Sequence, residues 1–187
     1  MSSERSRILG KLRLLGLYAF VGLLAWYSRP TPSLFLSGAV LVLVGEAVRI
    51  WAAGHLVKSL ELIDSGPYAY TQNPLYLGRL LILTGICIIC RSRYALNWLA
   101  LLLGYVVFFA YYLPRKLRVE GARLRKMHGE SWVRYQTSVP VLIPSLSRFP
   151  GQTTPWSLRK AIRNQEYLVL AGLLSVLAFL ARRTWSP

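Results

Sequence analysis

The chain is written in long apolar runs separated by short, mostly basic stretches. The run 12–27 carries one charge, Arg13; the run 33–53 carries Glu46 and Arg49; the run 75–90 carries Arg79; the run 95–113 carries none; and the run 167–181 is apolar but short. A helix rises about 1.5 Å per residue and the hydrocarbon slab is about 30 Å thick, so runs approaching about 20 residues predict spanning helices rather than buried core helices. The expected fold is all-α, a multi-pass transmembrane helical bundle of about five spans that forms a single membrane domain over residues 1–187. No cleavage pattern follows the first run, which reads as a retained helix.

The runs pair into hairpins. The first pair turns across residues 28–32, which hold two prolines, and the second through Arg91, Ser92 and Arg93. A connector, 54–74, lies between the hairpins. After the fourth run comes a polar stretch, 115–136, whose Leu117, Ala122, Leu124, Met127 and Trp132 loosely follow helical spacing, and then a proline-bounded extended stretch, 139–144. No internal repeat or low-complexity segment interrupts this order. No Gly-rich phosphate loop follows a strand pattern, so a dinucleotide-binding fold is not supported, and any cofactor must be held by helices and loops.

Composition agrees with the membrane reading: 54% of the residues are hydrophobic. The net charge of +16 would suit nucleic acid, but its distribution argues otherwise. Arg5, Arg7, Lys11 and Arg13 precede the first run, and Arg115, Lys116, Arg118, Arg123, Arg125, Lys126 and Arg134 follow the fourth. That is the positive-inside pattern, which places the N-terminus and the basic segment in the cytoplasm and makes the membrane, not nucleic acid, the partner. Some of the excess serves anionic lipid. Arg182 and Arg183 break the pattern if the fifth run crosses. Cys87 and Cys90 lie a turn apart inside the third run; without a second pair they make no zinc site and read as small packing residues, so no metal is expected.

The chain holds seven carboxylates, and Glu120 stands out because it interrupts the basic segment. It reads either as a salt-bridge partner of Lys116 or Arg123, or as a partner for a cationic ligand at the membrane surface. In the connector, Ser65-Gly66-Pro67 and Asn73-Pro74 are turn signals close together, with Tyr68, Tyr70 and Tyr76 around them. These tyrosines read as an interfacial belt or as a binding loop. Glu46 and Arg49 read equally as an i,i+3 pair or as an intramembrane functional pair. His55, at a helix end, reads as structural.

The connector and the basic segment together resemble the isoprenylcysteine carboxyl methyltransferase family and its phospholipid methyltransferase relatives. The first signature is Gly-Pro-Tyr, four residues, then His-Pro-x-Tyr; here Gly66-Pro67-Tyr68 is followed, after residues 69–72, by Asn73-Pro74-Leu75-Tyr76. The second is a glutamate nine residues before a glycine, then an acidic residue and a tyrosine-containing helix ending near Val-Pro: Glu120, Gly129, Glu130, Tyr135, Val139 and Pro140. The resemblance covers about 45–144. Two departures stand out: asparagine replaces the usual histidine at Asn73, and Gly121 follows Glu120 where the family pairs glutamates.

The resemblance implies S-adenosylmethionine-dependent methyl transfer to a lipid or lipophilic acceptor. It implies that the strand-like stretch Leu60, Glu61, Leu62 and Ile63, with Tyr68, Asn73, Pro74, Leu75, Tyr76 and Glu120, holds the cofactor, and that Lys116 faces the acceptor. Position alone adds Arg79, one turn into the third run, as a cation for a ligand carboxylate or for the acceptor. Tyr68 and Tyr76 suit a sulfonium through cation–π contact, and Glu120 suits a ligand cation or hydroxyl. Methyl transfer is a displacement at carbon that needs no metal, and without a histidine in the motif an anionic or readily ionised acceptor is expected. The alternatives are a sterol-reductase-like enzyme using NADPH on a similar scaffold, and a membrane scaffold or transport component without catalysis.

Topology follows from the charge pattern and is directly testable. In a chain whose native cysteines are replaced, single cysteines at Ser3 and Ser131 should be labelled by an impermeant thiol reagent from the same, cytoplasmic side. Labelling from opposite sides removes both the even span count and the placement of the site.

Overall fold

A computed structural model describes residues 22–57, 62–92 and 95–186 of the chain. Most of the first apolar run, with the cations before it, lies outside the described residues, as do Leu60 and Glu61; residues 22–27 are helical. The described secondary structure is entirely helical, in keeping with a multi-pass bundle. Helix α1 spans Pro32–His55, α2 Pro74–Ile89 and α3 Leu96–Val106; α4 spans Leu113–Ser138, α5 Leu158–Arg163 and α6 Glu166–Trp185.

Among the described residues, three helices are long and apolar enough to cross a membrane: Pro32–His55, Leu96–His128 and Glu166–Trp185. The last is longer than the sequence run suggested, because flanking Glu166 and the Arg182–Trp185 end continue the helix. The third run gives a helix of only 16 residues, Pro74–Ile89, about 24 Å at the helical rise and short of the full slab. It begins at the Asn73-Pro74 turn, where proline fits the first helical position, and stops at Cys90.

The fourth run and the polar stretch after it are one continuous helix. They are joined by a wide π-helical turn, Val107–Tyr112. Pro114 gives the physical reason: it has no N–H for the carbonyl four residues back, and the backbone widens where that bond is missing. The apolar part of this helix is largely exposed, as lipid-facing helices are, and Gly104 packs against Leu83 of α2.

Helices α1 and α2 form the tightest pair. A Cβ added at Gly38 would lie 2.5 Å from the Gly85 carbonyl oxygen, and one at Gly45 would lie 2.7 Å from that of Gly78. The contacts are reciprocal, since Gly85 and Gly78 face the carbonyls of Gly38 and Gly45. Small residues let backbones approach closely, the main source of helix association where lipid is as apolar as leucine. Helix α6 closes the bundle, with Leu180 buried against Leu24, Val42, Ile82 and Ile86. The turns of the two hairpins meet, the Arg29 amide donating to the Arg91 carbonyl at 2.8 Å.

Arg49 is buried between Glu46 (3.3 Å) and Glu166 (2.6 Å), so the pair foreseen in the run 33–53 is a triad that fastens the start of α6 to α1. Glu166 lies 117 positions further along the chain, a partner that spacing cannot supply. Cys87 and Cys90 are buried free thiols.

Substitution of Gly45 tests the close pair. Gly45→Ala places a methyl against the Gly78 carbonyl and Ile82, and should lower stability in detergent by about 1–3 kcal/mol. Gly172→Ala, where nothing lies within 4 Å of the new Cβ, should be neutral or slightly stabilising. Thermal unfolding of the two variants reads the difference.

Candidate functional site

The end of the bundle where α1 stops is finished by the segment after α4. The last carbonyls of a helix lack intrahelical partners. Here the Ser157 amide donates to the Gly54 carbonyl at 3.0 Å, and the Asn164 side chain donates to the carbonyls of Ala53 and Leu56 at 3.0 and 3.2 Å. The return segment thereby sits beside the connector.

The connector is laced to that segment by an unbroken series of bonds. Four successive carbonyls, those of residues 139–142, each accept from it: Val139 from Gln72 Nε2 (2.6 Å), Pro140 from the Gln72 amide (2.9 Å), Val141 from Asn73 Nδ2 (2.8 Å) and Leu142 from Thr71 Oγ1 (3.0 Å). Donors return at Ser145 N to Tyr70 O and Phe149 N to Ala69 O, both 2.9 Å. The Tyr135 hydroxyl donates to the Tyr68 carbonyl at 2.8 Å. The stretch 139–144, expected to be extended, instead bends at 139 and 141–143, and this bent strip, with its carbonyls taken up by Thr71, Gln72 and Asn73, is what the turn 65–76 is fixed to. Gly66, at φ +58°, makes the first bend and leaves room for the His55 ring, against which a Cβ would lie 2.4 Å away. His55 is buried beside Ser65, the structural role expected of it.

Between this strip and α4 lies a cavity of about 340 Å3, within the range of small-molecule sites. The sequence-selected Leu62, Ile63, Tyr68, Asn73, Pro74, Leu75, Tyr76, Arg79, Lys116 and Glu120 all line it. The structure therefore gathers one end of the connector, the first turn of α2 and the middle of the long helix around one space. Residues that the sequence did not assign to the cofactor or acceptor also line it: Gln72, Arg123, Leu124, Trp132 and Tyr135. Tyr135 stood in the second signature, but Gln72 fell in its unmarked spacer. Trp132 faces the cavity because Gly129, at φ 52° and ψ −123°, turns the chain in a way that side-chain-bearing residues avoid, swinging residues 130–138 back over the connector.

Lys116 is the hub. Its Nζ hydrogen-bonds to Asn73 Oδ1, lies 2.9 Å from Glu120 Oε2 and sits 4.6 Å from the centre of the Tyr76 ring. The cation that reaches Asn73 is Lys116, not Arg79. The Arg79 guanidinium lies 5.3 Å from the Tyr76 ring and is exposed, at the edge of the cavity. Of the two readings of Glu120, the ion pair with Lys116 is present, while the carboxylate is half exposed and lines the cavity. Tyr76 is held from the other side by Tyr112, hydroxyl to hydroxyl at 3.3 Å, and by the edge of Phe108; both come from the wide turn before α4. The Tyr68 side chain is buried, and burial, with lesser repulsion from Tyr135 and Glu120, raises its hydroxyl pKa, so it is a neutral group at working pH.

Asn73 explains its departure from histidine. Its amide gives a proton to Val141 and takes one from Lys116, two opposite demands that one uncharged side chain meets. A neutral imidazole could meet both as well. An imidazolium would face the Lys116 charge.

A model of the phospholipid methyltransferase family matches residues 37–131, half of the chain, from within α1 through the Gly129 bend. The chain belongs to the phospholipid methyltransferase family. The match contains both positions that carried the resemblance, the Gly66–Tyr76 turn and Glu120. Over 135 residues the chain is 30% identical to a cobalt-zinc-cadmium resistance protein of Cupriavidus metallidurans, covering 71% of this chain and 57% of that protein. It is 28% identical over 131 residues to a nickel-cobalt-cadmium resistance protein of Alcaligenes xylosoxydans, covering 69% of this chain and 57% of that one. The chain thus spans less than two thirds of either relative. No solved structure matches it. Among the described residues, no group of three His, Cys, Asp or Glu side chains is placed to hold a metal ion.

The bridging role of Asn73 is testable without any ligand. Asn73→Leu leaves the Val141 carbonyl and Lys116 without their partner and should cost about 1–3 kcal/mol of stability. Asn73→His should recover most of it. Equal unfolding midpoints for wild type and Asn73→Leu would show that the bridge does not hold the strip.

Proposed function

We propose that the chain is an integral membrane methyltransferase that uses S-adenosylmethionine and acts on a lipophilic acceptor. The observation that carries this reading is the convergence on one cavity of the residues selected by both family signatures, on the scaffold of a methyltransferase family. The donor set suits the cofactor, which brings a sulfonium, an ammonium and a carboxylate and supplies the methyl group. Tyr68 presents a ring for the sulfonium, a contact worth about 0.5–2 kcal/mol, whereas the Tyr76 ring already has Lys116 and Arg79 at 4.6 and 5.3 Å from its centre. Glu120 serves an ammonium or a ribose hydroxyl, and Lys116 and Arg79 flank Tyr76 as cations for a carboxylate or for the acceptor. Leu62, Ile63, Pro74 and Leu75 provide apolar walls that exclude water.

In this reading the chain acts by alignment. Lys116, held by Asn73 and Glu120, and Arg79 both lie against the Tyr76 ring and fix its place. The acceptor enters from the bilayer past Tyr112 and Phe108, where the wide turn opens the long helix beside the cavity. An anionic or readily ionised acceptor is favoured, because the cavity brings three cations, Arg79, Lys116 and Arg123, and no histidine. The cavity and N-terminus are placed on the cytoplasmic side by the basic segment. A second reading, a component of a metal-resistance system without methyl transfer, is favoured only by the names of the two relatives. Calorimetry with S-adenosylmethionine and with NADPH separates the readings: binding of the first alone supports methyl transfer, binding of the second alone a reductase, and binding of neither the non-catalytic component.

Glu120→Gln is the sharpest single substitution. A hydrogen bond to a charged group contributes about 1.5–3 kcal/mol, so S-adenosylmethionine should bind roughly one to two orders of magnitude more weakly. Stability should change little, because the ion pair with Lys116 is half exposed. Glu130→Gln, in the same basic segment but outside the cavity, is the control and should change binding far less. Equal affinities for wild type and Glu120→Gln would remove Glu120 from the cofactor site.

A further inference from the structure

A second cavity, of about 510 Å3, lies against the first, with Leu62 and Ile63 in the wall of both. It is polar where the first is aromatic. Five separate pieces of chain meet there: the end of α1, the connector, α4 at its bend, the return segment and α5. Apart from the shared Leu62 and Ile63, its lining residues are not among those selected by the family signatures, and the proposed methyl transfer makes no use of them.

Its chemistry is weighted toward donors. Lys160 of α5 makes no ion pair among the described residues. His128 of α4 also lines the cavity, and its Nε2 is buried with no hydrogen-bond partner among the described residues. Ser131, on the next turn beyond Gly129, adds a hydroxyl, and the paired hydroxyls of Ser65 and Thr154 add another group able to reorient. The one carboxylate is Asp64. Its Oδ1 accepts the Gln152 amide at 3.1 Å and its carboxyl group packs against Gly151, so it is turned onto the return segment. The cavity thus brings a cation, the imidazoles of His55 and His128 and three hydroxyls from several sides, with Asp64 the single carboxylate, tied to the return segment.

We propose that this second cavity binds a phosphate-type anion. A planar carboxylate is matched by a single fork of donors, whereas a tetrahedral anion with three peripheral oxygens takes donors from separate directions, with lysine as a point charge. The phosphate has two possible sources, the headgroup of an anionic lipid or a soluble phosphate. The site is independent of the methyl-transfer reading and stands beside it.

The test uses the purified full chain in detergent at constant ionic strength. Inorganic phosphate is titrated while the unfolding midpoint is followed, and S-adenosylmethionine affinity is measured on the same preparations. Wild type should show a saturable rise in midpoint. Lys160→Gln should weaken the apparent phosphate affinity about tenfold or more, and Lys160→Arg should retain most of it. Cofactor affinity should be the same in all three, and a change with Lys160→Gln overturns the independence of the site; absence of cofactor binding in wild type counts against the methyl-transfer reading alone. In nanodiscs, a rise that disappears when phosphatidic acid is included identifies a lipid headgroup as the source, and one that persists identifies soluble phosphate. The proposal is overturned if Lys160→Gln responds like wild type. It is equally overturned if wild type shows no rise and native mass spectrometry finds no retained anionic lipid.

Discussion

The contact between α1 and α2 at Gly38–Gly85 and Gly45–Gly78 sets the distances on which the rest depends. In lipid, apolar side chains gain nothing by leaving one apolar medium for another, so helices pair where their surfaces fit. Four glycines on two facing stripes let the backbones touch, and the Arg49 stem passes beside Gly78 on its way to Glu46 and Glu166. With α1 and α2 this close, the chain between them leaves one helix and enters the next within a small area. The connector is therefore a folded cap on that end of the bundle, and the Asn73-Pro74 turn stands directly over the first turn of α2.

A cap of turns needs partners for its backbone, and here they come from far along the chain. The carbonyls of residues 139–142 are an edge with no strand beside it, and Thr71, Gln72 and Asn73 supply the donors. The bend at Gly129 brings that edge into place. One bend also gives α4 two jobs, since Trp132 and Tyr135 face the aromatic cavity while His128 and Ser131 face the polar one.

Charge in the first cavity is organised around Lys116. Glu120, Asn73 and the Tyr76 ring all meet it, and Arg79 lies against the same ring. Such an arrangement is preorganised: the groups that meet a ligand are already fixed by one another, and little ordering is left for binding. It also gives the departure from the family histidine a physical sense, because the position requires an uncharged side chain that both donates and accepts.

The all-helical class, the apolar runs and many of the residues that line the first cavity were legible in the sequence, because hydrophobic run length and the turn chemistry of Gly66-Pro67 and Asn73-Pro74 are local properties of the chain; the stretch 139–144, read as extended, bends instead as its carbonyls meet the connector. The family was legible too, in two short signatures. Other features were decided only by the tertiary structure. The third run stops short of a full span, the fourth continues through a π turn into the basic segment, and Glu166 completes the buried triad across 117 positions. Gln72 and Trp132 enter the site, and Lys116 rather than Arg79 meets Asn73, because lacing and bending bring together side chains that spacing leaves unrelated. Each segment's own residues set what it can bury or bend; which distant donor meets which carbonyl is settled only when the helices have packed and the buried backbone groups have had to find partners.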